Sequence, residues 1–207
     1  MNLALDCAAS LTRVLIGVLA AAALGILFGL LRSALPERIK RNKLVSFLIE
    51  APKFPPPIAW IPFVILWFGI GEFSAYVIVF IGAFAPIFIA TYDGAESAPR
   101  VFRQTAASLE IRGTSYLRRI VFMNALPNIF SGLRAGVSMG WMSVIAAEMI
   151  SGQSGLGYSI QLHRLNLQYE LMVVDMVMIG VLGFLLFEMI VIAEKFAIPW
   201  NEKDEKL

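Results

Sequence analysis

Cysteine and histidine occur once each in this 207-residue chain, as Cys7 and His163. A single cysteine excludes an internal disulfide framework, and neither residue alone can build a metal site. His163 is expected at a surface or an interface rather than as a ligand. Serine–histidine–aspartate catalysis would require His163 to meet a partner at its own depth, and no motif supplies one. None of the six lysines follows a glycine, so the phosphate-binding pattern GxxxxGK[ST] cannot occur. Charge is sparse too: 15% of residues are Asp, Glu, Lys or Arg, against about 25% in soluble domains. Catalysis by this chain is not expected. A nucleic-acid role is disfavoured, because the basic residues flank apolar runs instead of lining a soluble face.

What the chain has in abundance is apolar surface. It is 58% hydrophobic with mean hydropathy +0.76, and the apolar residues are bunched as a polytopic membrane protein requires. The expected fold is all-α, one transmembrane bundle over residues 1–207 with about five spans, at 14–31, 54–70, 73–92, 129–150 and 173–193. The first, Val14 to Leu31, holds eighteen residues without a charge. At ~1.5 Å per residue it covers about 27 Å, close to the ~30 Å hydrocarbon thickness. A signal peptide is the competing reading. It is disfavoured because Met1–Thr12 carries Asp6 and no basic residue. The prolines at 55, 56 and 57 cannot continue a helix inward and mark where the second span begins. Gly69-Ile-Gly-Glu72 reads as a tight turn. In the fourth span Gly132, Gly136 and Gly140 fall on one stripe, the pattern that lets another helix backbone approach.

Lys and Arg set the orientation. Fifteen of the seventeen lie in loop 32–53, segment 93–134 or the tail, leaving Arg164 opposite and Arg13 at the edge of the first span. Positive-inside places those segments and the C-terminus in the cytoplasm, and the N-terminus outside. Five spans with the N-terminus outside suggest that a preceding helix is missing or lies elsewhere. Segment 97–127 is a basic, helical island between spans, with Arg100, Arg103, Arg112, Arg118 and Arg119. Within it Phe102, Ala106 and Leu109 stand at i, i+4 and i+7, a narrow apolar stripe. That suits a helix laid into a groove of a cytoplasmic partner, the other reading being a helix resting on the membrane surface. The carboxylates singled out within spans are Glu148 and Glu188. Ionisable groups in a bilayer are functional candidates, though both are expected within reach of water.

Several stretches together resemble the type I importer permeases of the ATP-binding-cassette class, in the branch for nitrate, sulfonate and taurine. They are Pro56-Pro-Ile-Ala-Trp-Ile-Pro-Phe-Val-Ile-Leu-Trp-Phe-Gly-Ile-Gly-Glu72, Ala125-Leu-Pro-Asn-Ile129, Gly132-Leu-Arg134 with Trp141, Ala146-Ala-Glu-Met149, and Gly155-Leu-Gly157. The order and spacing hold across residues 11–195. The resemblance implies a six-span core lacking its first helix, a second permease copy, and a cytoplasmic ATPase docked through a coupling helix. It also implies an external solute-binding protein. No cofactor is implied for this chain, since ATP and magnesium would sit on the ATPase. The implied coupling residues are Arg103, Gln104, Ala106, Ala107, Leu109, Glu110 and Gly113. Those implied for the pathway or gate are Trp141, Glu148, Gly155 and Gly157. The coupling signature itself departs from the family: Gln104-Thr105-Ala106 stands for EAA, Glu110 for its glycine and Phe122-Met123 for Leu-Pro. Gly113 would take over the turn, with the coupling helix extended by about one turn past Leu109.

The functional expectation is the membrane-spanning subunit of an ATP-driven importer of a small anionic solute. A secondary transporter or channel would show an inverted repeat or a charged pore pattern, and neither is found. A non-transporting assembly subunit is the other alternative, suggested by the altered coupling signature.

Overall fold

The computed structural model describes residues 3–40, 42–44, 47, 55–108 and 113–199, and among them every regular element is a helix. The main ones are α1 (Leu3–Ser33), α2 (Pro57–Phe68), α3 (Glu72–Glu96), α4 (Arg100–Ser108), α5 (Phe122–Ser151), α6 (Leu156–Leu165) and α7 (Tyr169–Ala197). A π-helical turn at Leu117–Val121 runs directly into α5. Among the described residues four helices are long and apolar enough to cross a membrane: α1, α3, the stretch Arg119–Ser151, and α7. The span expected over 54–70 is a helix of twelve residues, opened by Pro57 and closed at Gly69. Twelve residues rise only about 18 Å. Glu72, just after this helix, lies against Arg13, some 30 Å along α1 from Ser33. α2 packs Ile61 and Val64 against Ile78 of α3 and Ala147 of α5.

The bundle is built around α3, which lies between α1 and α5. Lipid is as apolar as leucine, so helices in a membrane associate chiefly through close packing and polar contacts. Two glycine stripes make that packing. A Cβ built on Gly17, Gly25 or Gly29 of α1 would meet Val79, Ile87 or Thr91 of α3 within 3.0 Å. From the other side, a Cβ on Gly132 would stand 2.7 Å from Ala90, and one on Gly136 2.7 Å from Ile87. Gly140 faces Val18 and Val79. Ile87 is therefore held between Gly25 and Gly136, and Val79 between Gly17 and Gly140.

Two spans begin earlier than their apolar runs. α1 starts at Leu3 because Asp6, Ser10 and Arg13 share one face (i, i+4, i+7) and are buried there against other helices. α5 and its π turn take in residues assigned above to the coupling segment. Val121, Ala125 and Ile129 pack with Ala95 at the end of α3, and Asn124 Nδ2 donates to the Gly94 carbonyl at 3.0 Å. Segment 151–172, between the last two expected spans, contains the helix α6. α7 buries only Asp175 and Leu186 fully. Polar tethers along its length join it to the rest. Asp175 pairs with His163, the Ile179 carbonyl accepts from Trp141, and Glu194 meets Arg134.

The packing makes a contrast testable. Gly132→Ala places a methyl against the backbone of Pro86 and Ile87. It is expected to destabilise the detergent-solubilised protein by about 1–3 kcal/mol. Gly180→Ala meets nothing within 4 Å and should leave the thermal midpoint unchanged or slightly higher. Equal effects from the two substitutions would refute the sandwich around α3.

Candidate functional site

The starts of α1 and α3, the close of α5 and the turn into α6 meet at one end of the bundle, and Arg13 is their common partner. Its Nε and Nη2 donate to Glu72 at 2.8 and 2.5 Å. Nη1 donates to Glu148 Oε1 and to the Ser154 carbonyl, both at 2.7 Å, and Nη2 donates also to Ser154 Oγ at 2.7 Å. All five guanidinium N–H groups are thereby used, as a buried arginine requires. The two carboxylates differ sharply in setting. The Glu148 side chain is 1% exposed and that of Glu72 is 57% exposed.

Glu148 is thus no water-accessible carboxylate at a helix end, as the sequence suggested. The chain after α5 folds back over it. Besides Arg13 it takes the Ser10 hydroxyl at 2.8 Å and the Gly157 amide at 2.9 Å. The same turn sends its Gly155 amide to Asp6 Oδ1 and its Leu156 amide to Ser10 Oγ, each at 3.0 Å. The first amides of any helix lack intrahelical acceptors, and carboxylates are favoured beside them. The entry to α6, Gly155-Leu-Gly157, offers no capping side chain of its own, so α1 and α5 supply the caps. Both glycines are needed. Gly155 has φ +104, and a Cβ there would strike the Glu148 carboxylate, while at Gly157 it would strike the Ile145 carbonyl.

Of the residues assigned above to a pathway or gate, Glu148, Gly155 and Gly157 come together here. Trp141 does not. It is buried between α5 and α7, its indole N–H donating to the Ile179 carbonyl at 3.1 Å and its ring lying over Gly183. Glu188 is half-buried about 20 Å further along α7 than Asp175. His163 does have a partner at its own depth: Nδ1 lies 2.7 Å from Asp175 Oδ2, and that aspartate lies inside the span where the sequence reading singled out only Glu188. No serine among the described residues joins the pair, and it ties α6 to α7. An apolar cavity of about 350 Å³ beside α2, lined by Pro55, Ala59, Trp60, Phe63 and Trp67, offers no charge to a polar solute.

At the opposite end α4 carries the proposed coupling residues. Ala106 is buried, so it is not on the same free face as Phe102, which is 48% exposed alongside Val101 at 63%. The stripe of Phe102, Ala106 and Leu109 is therefore not presented whole. Arg103, Gln104 and Ala107 lie within the helix, but their side chains are outside the described residues. Leu109 and Glu110 are outside them altogether, as is any extension of the helix past Ser108. Gly113 has φ +63, a turn conformation that glycine adopts without strain.

Arg13 and Glu72 were missed because each looks ordinary in its own segment, one at the edge of a span and one in a turn. The available signal was depth: Arg13, Glu72 and Glu148 fall at the same end of three long apolar helices, α1, α3 and α5. Replacing Arg13 by Met would leave Glu148 buried without its cation and is expected to cost about 3–5 kcal/mol of stability. Glu72→Gln, at an exposed arm, should cost about 1 kcal/mol or less. Denaturation in detergent compares the two, and an Arg13→Met effect no larger than that of Glu72→Gln would refute the cluster's central role.

Residues 14–195 match the family described as the binding-protein-dependent transport system inner membrane component. Among curated relatives, the nitrate import permease protein NrtB of Synechocystis is 33% identical, with 94% of this chain and 70% of the relative covered. The taurine transport system permease protein TauC of Escherichia coli is 31% identical over 94% of this chain and 70% of the relative. The chain spans 66% to 78% of the length of the curated relatives it matches first. Among solved structures, an inward-facing form of the MetNI methionine ABC transporter superposes with TM-score 0.74 at 19% identity, covering 93% of this chain and 95% of that one. At that identity the likeness speaks to the fold alone. This multi-pass membrane chain belongs to the binding-protein-dependent transport system inner membrane component family.

Proposed function

We propose that the chain is the transmembrane subunit of an ATP-driven importer that moves a small anionic solute from an external binding protein to the cytoplasm. The observation that carries this reading is the family match across residues 14–195, with relatives named for nitrate and taurine transport. Both named solutes carry an anionic oxygen group. In this reading the Arg13 end of the bundle faces outward. The end with Arg32, Lys40 and α4 faces the cytoplasm together with the C-terminus, in keeping with the distribution of Lys and Arg. A second permease copy completes the pathway. The chain binds no nucleotide itself, and ATP and magnesium belong to a separate ATPase.

α4 is the element that engages this ATPase. It follows α3 after only a short link, Ser97-Ala-Pro99, so a push on α4 reaches the central helix of the bundle directly. Its free face is formed by Val101, Phe102 and Thr105, not by Ala106. The region from Arg103 to Gly113 still lies at the contact, with Ala106 anchoring the helix from within.

Two measurements test the reading. Proteoliposomes holding this chain as sole permease, reconstituted with a cognate ATPase and binding protein, should take up nitrate or taurine only with ATP. Uptake without ATP would favour a secondary transporter, and no uptake of any anion a non-transporting subunit. Phe102→Asp puts a charge on the free face of α4 and should abolish co-purification of the ATPase while leaving the yield of folded permease intact. Unchanged co-purification would move the contact away from α4.

A further inference from the structure

Four consecutive residues at the start of α6 take their positions from other helices. Ser154 gives both its carbonyl and its hydroxyl to Arg13. The next three amides go to Asp6, Ser10 and Glu148. The turn has no capping side chain of its own, and Gly155 lies at φ +104. Glu72 is different: it meets Arg13 through both carboxylate oxygens but makes no described contact with the turn. It also stands at the wet edge of the cluster.

We propose that Arg13 is the positioning residue of the Ser154–Gly157 turn and that Glu72 is the arm orienting it. The guanidinium is a rigid planar fork. Two of its edges are engaged by Glu72 and Glu148, which fixes the plane from which the remaining hydrogens reach Ser154. A lysine could not do this, because three donors on a flexible stem cannot serve five acceptors in fixed directions. The rival use of such a fork, capture of an anionic solute, is opposed by charge. Asp6, Glu72 and Glu148 outnumber Arg13, giving the cluster a formal charge of −2, and no guanidinium hydrogen is spare. The consequence for transport rests on the importer reading above. On that reading the turn and α6 lie on the outward face, where a binding protein delivers solute, and Arg13 fixes the receiving surface.

The test is amide hydrogen exchange on the full-length chain in nanodiscs, read on peptides covering residues 150–160. Glu72→Gln should speed exchange at Gly155–Gly157 by about fivefold, a local loss the size of one exposed ion pair, and leave the middle of α5 unchanged. The same substitution in an Arg13→Gln/Glu148→Gln background should have no effect on the turn. That background removes the guanidinium together with its buried partner Glu148, so Glu148 is not left as a buried charge without its cation. Wild-type exchange in Glu72→Gln, equal acceleration in both backgrounds, or acceleration spread through α3 and α5 would each overturn the proposal. Transport is read separately: where wild type takes up solute, Glu72→Gln should raise the half-saturating binding-protein concentration more than it lowers the maximal rate. A fall in maximal rate alone overturns the transport role. If wild type takes up nothing, the importer reading fails and the exchange result still decides the positioning role.

Discussion

An arginine withdrawn from water inside a helical bundle must have each of its hydrogens answered and its charge balanced, or the fold around it does not form. Arg13 meets that requirement with ligands from α1's neighbours on three sides: Glu72 opening α3, Glu148 closing α5, and Ser154 in the turn to α6. Three helix ends and a turn that are far apart in the chain are thereby brought to one point. The remaining lone pairs of Glu148 are taken by Ser10 and Gly157, so the charge pair is embedded in a completed network. Such a network stabilises less by its attraction than by the penalty that any rearrangement would incur. That makes it a means of specifying one geometry for the turn.

Below this polar end, the order of the bundle rests on contact distance. Val79, Ile87 and Thr91 on α3 press into positions on α1 and α5 where no side chain stands in the way. The approach is close enough that a single methyl would displace backbone. The core helices α1, α3 and α5 thus form a tightly fitted unit. α7 is attached differently, by an ion pair or hydrogen bond at each level and by little fully buried surface. Its remaining apolar faces, including Val173, Val177, Val181 and Phe184, are exposed to whatever surrounds the chain.

α3 joins the two ends. Its first residue is in the Arg13 cluster, and its last turn is tied to the rest by Lys40–Glu96 and by Asn124 on the Gly94 carbonyl. Only Ser97, Ala98 and Pro99 separate it from α4. α3 is thus a central helix fastened at both ends.

Much of this was legible in the chain. The apolar runs placed the long helices because a spanning backbone must satisfy its own hydrogen bonds, and length and hydropathy suffice to show where that happens. The stripe of Gly132, Gly136 and Gly140 announced a close helix contact through its spacing alone, and the ordered motifs pointed to the family. The segment boundaries were less legible: polar residues that share one buried face, as in the first turns of α1, look the same in sequence as polar residues in water. Glu148 was visible as an unusual carboxylate, but its partners were not. Local sequence determined which segments become helices and which faces carry small residues, because periodicity and side-chain size are properties of a few neighbouring positions. Only the tertiary structure decided that Asp6, Ser10, Arg13, Glu72 and Glu148 share one site. Charge pairing acts over a few ångströms in space and leaves no mark on separations of fifty-nine and one hundred thirty-five residues along the chain.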